Sequence, residues 1–452
     1  MTALALRSLR HRTAAFTASF LAMLLGAAIL MAFASMLDTS AGNDVSASDR
    51  ETLTTMAVVV GGWGLIIVAF GVASTLTLTV RQRSGEIALL KSIGATPAQL
   101  RRMIVSEAAV MAIVAAAVAT VPAILAGSLL LDLLKDTEQV GAGVDHDFGP
   151  IAVGMGAGIT VVAATIAAVI AARRAARMGA QEAVLASALE DPRMGRKRIV
   201  AACLFLVLGL HLAVITATAM RGKGADAMAT AGQASIFVAI GLSLLAPVLV
   251  RAVTTRLAGP LEEAGGASGY LTALNVRRRS HQMASALMPI ILFVGIAVGT
   301  LSMQRIENAA VDAAGVTQTT EEKSIETLNL VVVAMIAVFA AIMLLNTLIA
   351  ATIHRRREFG QQRLAGSTPP QVLRMVSLES LVLAATGVLF GSLASIFTVV
   401  PFSIARTDSV LPDSTIAIYI AVVGAAVLLT LAASLGATRR ALRTPAIEAA
   451  AA

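Results

Sequence analysis

The sequence predicts an all-α polytopic membrane protein with ten transmembrane helices, arranged as two parallel four-helix repeats and a two-helix linker. Three observations lead to this prediction. The chain of 452 residues is 57% hydrophobic and only 14% charged, whereas about a quarter of the residues of a soluble protein are charged. Ten apolar runs are long enough to cross a bilayer, and the polar segment after the second run occurs again after the eighth.

A hydrocarbon core about 30 Å thick requires about 20 apolar residues per helix. The third and ninth runs exceed one crossing, so we expect them to tilt or to extend beyond the lipid. We interpret the first run as a span rather than a cleaved signal peptide, because it is longer than a signal core. The ten predicted spans are 14–36, 56–80, 104–134, 150–172, 199–220, 232–250, 284–303, 327–352, 375–405 and 415–438.

Basic residues indicate the orientation of these spans. When the connections are assigned alternately to the two sides, one side holds 28 of the 35 Lys and Arg residues. Cytoplasmic connections of membrane proteins carry such an excess. We therefore expect both termini and both copies of the polar segment to be cytoplasmic. The basic residues flank apolar runs and aromatic residues are scarce, so the net charge of +8 does not indicate a nucleic-acid partner.

The two repeats resemble each other at both ends. The segment ALRSLRHR at 5–12 resembles ALNVRRRS at 273–280, and RRAARMGAQEA at 173–183 resembles RRALRTPAIEA at 439–449. The linker adds two crossings, so both repeats have the same orientation, unlike the inverted repeats of many transporters. The predicted division is a first unit at 1–186, a linker at 187–268 and a second unit at 269–452.

The repeated polar segment reads EIALLKSIGATPAQLRRMIVSE at 86–107 and EFGQQRLAGSTPPQVLRMVSLE at 358–379. A constant shift of 272 positions aligns the two copies without a gap. The identical pairs are Glu86/Glu358, Gly94/Gly366, Thr96/Thr368, Pro97/Pro369, Gln99/Gln371, Arg102/Arg374, Met103/Met375 and Glu107/Glu379.

Local signals in this segment predict a short helix, a turn and a new helix. Gly94 suits the left-handed residue that ends a helix. Thr96 is the expected N-cap of the next helix, with Pro97 at its first position and Gln99 closing a capping box. The second copy has the same signals at Gly366, Thr368, Pro369 and Gln371.

Charged residues mark the exposed side of each short helix. Such a helix is too polar to cross lipid and too short to be stable alone, so it must pack against something. We consider two interpretations. Each short helix packs on neighbouring helix ends, or the two short helices dock on two copies of a partner. Glu107 and Glu379 are expected to anchor the next span near an interfacial Arg, with a role in motion as the alternative. The charges on the short helices are Arg83, Glu86 and Lys91, and Arg355, Glu358 and Arg363.

At these residues the chain resembles the FtsX-like permease family, membrane subunits of ABC-type transporters related to MacB and to the lipoprotein-releasing and bacitracin-efflux permeases. The family pattern is R-x-x-E-[IF]-x-x-x-[RK]-x-x-G-[AS]-[TS], followed by a basic turn and a Glu that enters the next helix. It is matched by Arg83, Glu86, Ile87, Lys91, Gly94, Ala95, Thr96, Arg102 and Glu107, and by Arg355, Glu358, Phe359, Arg363, Gly366, Ser367, Thr368, Arg374 and Glu379.

The resemblance implies that each short helix is a coupling helix on which a cytoplasmic ATPase docks, with two ATPase copies per chain in a bacterial cytoplasmic membrane. It implies export or extraction of an amphipathic compound such as a lipid, peptide antibiotic or drug. ATP and Mg²⁺ would belong to the partner, and this chain would hold no cofactor. The sequence lacks a G-x-x-x-x-G-K-[ST] motif, so we expect the chain not to be an enzyme by itself.

One departure from the family and two alternative functions accompany this expectation. Family members usually carry a large extracytoplasmic domain after the first span, whereas the loops at 38–55 and 304–326 are short. The first alternative is mechanical signalling to a small extracytoplasmic partner without transport. The second is an ion-coupled secondary transporter, which usually needs charged groups near the membrane midplane. His211 lies well inside a span, and we expect it to bond to a neighbouring helix.

Overall fold

The computed structural model describes residues 13–43, 45–177, 194–278, 280–315, 320–410 and 415–451, and these residues form helices and no strands. The repeat ends at 5–12 and 178–183 lie outside them. The helices are α1 Thr13–Ser40, α2 Ala47–Thr55, α3 Gly61–Gln82, α4 Ser84–Ser92, α5 Pro97–Asp136, α6 Pro150–Arg177, α7 Arg196–Thr218, α8 Ala227–Leu244, α9 Ala246–Arg278, α10 Ser280–Ala313, α11 Thr320–His354, α12 Arg356–Leu364, α13 Pro369–Thr407, α14 Ile416–Leu442 and α15 Ala446–Ala451.

Eight of the described helices are long and apolar enough to cross a membrane, namely α1, α5, α6, α7, α8, α10, α13 and α14. The chain is therefore an all-α polytopic membrane protein, as predicted. The remaining two predicted spans, the second and the eighth, fall on α3 and α11, which are 22 and 35 residues long.

Helix boundaries differ from the predicted spans at several ends; α10, for example, extends to Ala313, beyond the predicted end of the seventh span at 303. The sixth span was predicted at 232–250, but α8 ends at Leu244 and α9 begins at Ala246. The predicted connection at 251–283 is mostly helical, with a kink at Gly266, where φ is 54° and ψ is −137°. A hydropathy scan does not detect α9 because charged residues are spread along it, namely Arg251, Arg256, Glu262, Glu263, Arg277 and Arg278.

The first compact unit comprises Met1–Leu189 and Gln318–Phe339. Helix α1 packs against α3, α5 and α6. Alanines make the α1–α5 contact close, as is usual between membrane helices. These alanines are Ala27 and Ala28 on α1 and Ala116, Ala119 and Ala123 on α5.

The second compact unit comprises Glu190–Thr317 and Ala340–Ala452. Its most extensive helix pair is α10 with α13, the equivalent of α1 with α5. Glycine makes the close approach possible, because a Cβ at Gly391 would lie 2.7 Å from Cβ of Val294. The linker helices also belong to this unit, and Thr398 Oγ1 on α13 donates a hydrogen bond to the carbonyl of Ala231 on α8 at 2.6 Å. The compact units therefore divide the chain differently from the sequence repeats.

Candidate functional site

Each short helix, α4 and α12, begins after an arginine that interrupts the preceding helix. Arg83 separates α3 from α4 with φ −95° and ψ 14°, and Arg355 separates α11 from α12 with φ −92° and ψ 0°. Both arginines have the backbone conformation typical of a turn. The N–H of Arg83 donates to the carbonyl of Val80 at 3.2 Å, and that of Arg355 to Thr352 at 3.0 Å. The same break therefore occurs at equivalent positions of the two repeats.

Each short helix is followed by a glycine turn. Gly94 has φ 97° and Gly366 has φ 101°, a left-handed conformation that residues with a Cβ rarely adopt. The N–H after each glycine donates to the carbonyl of Leu90 or Gln362, at 2.9 and 3.0 Å respectively. This is the hydrogen-bond pattern of a Schellman motif, which satisfies the last carbonyls of the helix.

Helices α5 and α13 begin with the same capping box. The N–H of Thr96 donates to Gln99 Oε1 at 2.9 Å, and the N–H of Gln99 donates to Thr96 Oγ1 at 3.3 Å. At α13 the N–H of Thr368 donates to Gln371 Oε1 at 2.8 Å. A proline follows each threonine at the start of the helix, where its missing N–H breaks no bond. Both capping boxes expected from the sequence are present.

One arginine and two glutamates join each short helix to the long helix after it. In the first unit Arg83 Nε lies 3.3 Å from Glu86 Oε2, and Arg83 Nη1 lies 2.5 Å from Glu107 Oε2. We call Arg83, Glu86 and Glu107 the first triad. Glu86 lies in the first turn of α4 and Glu107 near the start of α5. The arginine therefore connects the helix break, the short helix and the next long helix.

The second unit has the same arrangement in Arg355, Glu358 and Glu379, the second triad. Arg355 Nε lies 3.2 Å from Glu358 Oε2, Nη1 contacts Glu379 Oε2, and Nη2 lies 3.0 Å from Glu379 Oε1. The guanidinium also lies 5.0 Å from the ring centroid of Phe359, within range of a cation–π interaction. A bidentate Arg–carboxylate pair fixes geometry as well as charge.

The inner ion pair of each triad is buried. The side chains of Arg83 and Arg355 are 14% and 12% exposed, and those of Glu107 and Glu379 are each 3% exposed. Glu86 is 39% exposed and therefore reaches solvent. Because an unpaired buried charge is costly, each inner pair is stable only while both partners are present.

The two triads differ in how their inner carboxylates are satisfied. Asn275 Nδ2 donates to Glu379 Oε1 at 2.8 Å, whereas Glu107 Oε1 is buried and has no hydrogen-bond partner among the described residues. Burial disfavours the charged form of Arg355, but the carboxylates of Glu379 and Glu358 outweigh this effect, so the pKa of Arg355 is raised above its ordinary value. The second guanidinium is therefore permanently charged.

A small cavity, lined by apolar as well as polar side chains, adjoins the second triad. Its volume is about 60 Å³, and its lining includes Asn275, Arg355, Glu379, Ser380 and Ser434. A buried water needs roughly 10–15 Å³ of such volume and several polar partners. The cavity is thus suited to a few hydrating waters beside the ion pair and is too small for an organic ligand.

The remaining residues predicted for the docking segment differ in exposure. Ile87 and Phe359 are buried, so they attach the short helices to the protein rather than to a partner. Lys91 is half-buried, whereas Arg102 and Arg374 are exposed. The arginines that pair with the buried glutamates are therefore Arg83 and Arg355, which precede the short helices. The basic-turn residues Arg102 and Arg374 are not these partners.

The second short helix is covered on one side by the C-terminal helix α15. Arg363 Nη1 donates to the carbonyls of Leu442 and Thr444 at 3.2 and 2.8 Å. A Cβ at Gly360 would lie 2.6 Å from the backbone N of Ala450. The sequence placed Arg363 on an exposed face, and it did not reveal this contact or that of Asn275. The only sequence feature related to these two contacts is that the segments RRALRTPAIEA and ALNVRRRS, at the ends of the second repeat, resemble the ends of the first repeat.

The described residues contain no group of three or more His, Cys, Asp or Glu side chains that could hold a metal ion. His211 is exposed on α7, instead of lying in a helix interface as expected. What the two units share is a short helix tied to a long one by a buried ion pair.

Comparison with known families gives a match in each of the two repeats. The family model described as FtsX-like permease C-terminal matches residues 58–180 and 330–446, just over half of the chain. The chain belongs to the FtsX-like permease family. Each FtsX-like match extends from the second predicted span of a repeat to the fourth and contains one triad. The FtsX-like unit therefore occurs twice in one chain.

A named relative shows a local similarity. The ABC transporter permease YtrF of Bacillus subtilis (strain 168) is 41% identical to this FtsX-like permease over 56 residues. The matched segment is 12% of this chain and 13% of the length of YtrF.

Proposed function

We propose that this FtsX-like permease is the membrane subunit of an ABC transporter, and that α4 and α12 are docking helices for a separate cytoplasmic ATPase. The observation that carries the proposal is the triad, which has the same connectivity in both units and ties an exposed short helix to a long apolar helix. The family membership and the local similarity to the ABC transporter permease YtrF support it. The proposal places the repeats 1–186 and 269–452 around the linker 187–268, with both termini in the cytoplasm.

The triads provide a route by which ATPase movement reaches the membrane. A displacement of α4 moves Glu86 and Arg83, and Arg83 transmits it to Glu107 on α5. Because losing one partner of a buried ion pair costs about 3–5 kcal/mol, a push on α4 moves α5 with it rather than separating the two. Two docking helices suit two ATPase copies, which would hold ATP and Mg²⁺. This chain then needs neither a cofactor nor enzymatic activity.

An amphipathic compound is the proposed substrate, for export or for extraction from the bilayer. The first unit has a groove of about 520 Å³ between α3 and α6. Small residues such as Ala69, Ala73, Gly154 and Gly158 widen it, and its whole lining is apolar. Such a groove suits the apolar tail of a lipid, peptide antibiotic or drug, whose polar head would stay at the membrane surface.

The alternative functions are separated by a transport assay on the complex in lipid vesicles. ATP-dependent movement of a fluorescent phospholipid supports the proposal. Hydrolysis without movement of any amphipathic probe favours mechanical signalling to a small extracytoplasmic partner. Movement that needs an ion gradient and no ATPase favours a secondary transporter.

Coupling is tested with variants that remove the inner carboxylates and keep their shape. In the reconstituted complex we expect Glu107→Gln and Glu379→Gln each to lower permease-dependent ATP hydrolysis, and the double variant to abolish it while the ATPase still co-purifies. Glu263→Gln, on an exposed face of α9, is the control. Unchanged hydrolysis in a folded double variant would reject the triads as the route. Wild-type protein that binds no ATPase would reject docking altogether.

A further inference from the structure

The two short helices expose different side chains at equivalent positions. On α4, Leu89 is 66% exposed and Ile93, next to the glycine turn, is 75% exposed. They are four residues apart and so lie on one face of the helix. The shift of 272 positions places Gln361 and Ala365 at these positions on α12, and both are also exposed.

Over its whole length, α4 is also less charged than α12. Helix α4 reads SGEIALLKS, with one acidic and one basic residue, whereas α12 reads RREFGQQRL, with three arginines and one glutamate. Arg357 is exposed, and Leu364 is the exposed large aliphatic residue on α12. The first short helix therefore exposes an apolar face and the second a polar, cationic one.

Lipid does not account for the apolar face of α4. Ile93 is followed by the turn and capping box at 94–99, where every residue except Ala95 is exposed, and Arg101 and Arg102 are exposed as well. Helix α5 has 40 residues and is about 60 Å long, whereas the hydrocarbon core is about 30 Å thick. Its first turns can therefore project beyond the core, and α4 precedes them.

An intramolecular cover does not account for the apolar face either. In the second unit, α15 packs against Gly360, and Arg363 bonds to the end of α14. Gln361 and Ala365 stay exposed beside this cover. A helix packed on α4 in the same way would leave Leu89 and Ile93 exposed.

We propose that Leu89 and Ile93 insert into an apolar groove of an ATPase subunit, whereas α12 docks through polar and cationic contacts that include Arg357. This inference rests on the proposed function and adds that the two docking sites are chemically different. Apolar docking withstands high salt, whereas contacts between exposed charges are screened. Raising the salt concentration should therefore release the ATPase from α12 before it leaves α4.

Site-specific photo-crosslinking in the full-length complex tests this. A photoreactive amino acid replaces Ala98 or Pro370, exposed residues at equivalent positions beside the two docking helices. Bound ATPase is identified by labelling with azido-ATP. From roughly 0.1 to 1 M salt, we expect the crosslink from position 98 to persist and that from position 370 to fall by tenfold or more.

Exchanged side chains provide the matched controls. Leu89→Gln with Ile93→Ala gives α4 the residues of α12, and should weaken the crosslink from position 98 at high salt by tenfold or more, since each lost aliphatic contact is worth about 1 kcal/mol or more. Gln361→Leu with Ala365→Ile should make the crosslink from position 370 resistant to salt.

Crosslinks from both positions with equal salt response, unaffected by the exchanges, would overturn the inference and leave the proposed function intact. Lipid captured from position 98 would overturn it too. No azido-ATP-labelled product from either position would overturn the proposed function itself.

Discussion

Arg83 and Glu107 stabilise each other. The first triad contains no other side chain of comparable burial that could take the place of either partner. Glu86 contributes to the same triad but is 39% exposed, so water can replace its contact. At the scale of single residues, the triad should therefore be sensitive to loss of its inner pair and tolerant of loss of its outer carboxylate.

We expect Arg83→Ala to lower the free energy of unfolding by about 3–5 kcal/mol, because it leaves Glu107 buried and unpaired. Glu86→Ala should cost less than about 1 kcal/mol, as an exposed ion pair does. Equilibrium unfolding of the purified protein in mixed detergent micelles measures both changes. Arg355→Ala and Glu358→Ala are the corresponding pair in the second unit, where the side chain of Glu358 is 24% exposed. Equal costs for the inner and outer residues would contradict the burial of the inner pair.

His146 gives a second residue-scale prediction, on pH. Its Nε2 lies 3.0 Å from Ser35 Oγ, and burial lowers the pKa of His146 although Asp147 and Asp132 oppose the shift. As the pH falls through about 6.5, the unfolded chain therefore takes up this proton before the folded chain does, and stability is lost. We expect the melting temperature to fall between about pH 7.5 and about pH 5.5, and His146→Gln to reduce that fall. An unchanged pH dependence in the variant would contradict the assignment.

At the scale of elements, the short helix, its glycine end and the capping box of the next helix could be predicted because their signals lie within a few residues of one another. The pairing of Arg83 with Glu107 could not, because it spans 24 positions and depends on the angle at which α4 leaves α3. The contact of α15 with Gly360 likewise depends on packing between helix ends. The periodicity of apolar residues in the sequence gives no information on the angle between α3 and α4 or on the packing between helix ends.

The glycine turns provide the element-scale prediction. Nothing lies within 4 Å of a Cβ built on Gly94 or Gly366, so a substitution there is penalised by backbone conformation alone. We expect Gly94→Ala and Gly366→Ala each to destabilise the protein by about 1 kcal/mol, measured by the same unfolding experiment. Gly436→Ala is the control, because that glycine also has open space but a helical backbone, and there alanine should be neutral or stabilising. Equal effects at all three positions would contradict the left-handed turns.

At the scale of the whole molecule, hydropathy and charge were sufficient for the fold class, because a bilayer demands long apolar helices whatever their packing. They did not predict the division into compact units. Helix α11 contributes residues 320–339 to one unit and residues 340–354 to the other, and the linker helices belong to the second unit. The α8–α13 hydrogen bond that attaches the linker joins residues 167 positions apart, and no local pattern reports such a contact.

Orientation is the whole-molecule property on which docking depends, and cysteine labelling measures it. After Cys203→Ser removes the one native cysteine, Ser92→Cys and Leu364→Cys place single thiols at exposed equivalent positions on α4 and α12. Gly143→Cys lies in the exposed connection between α5 and α6, on the side with few basic residues, and is the outward control. We expect a membrane-impermeant maleimide to label position 143 in intact cells, and positions 92 and 364 only after permeabilisation. The positive-inside rule predicts this result because 28 of the 35 Lys and Arg residues lie on the side of the short helices. Labelling of either short helix in intact cells would place it beyond the reach of a cytoplasmic ATPase, and the proposed coupling would then be wrong.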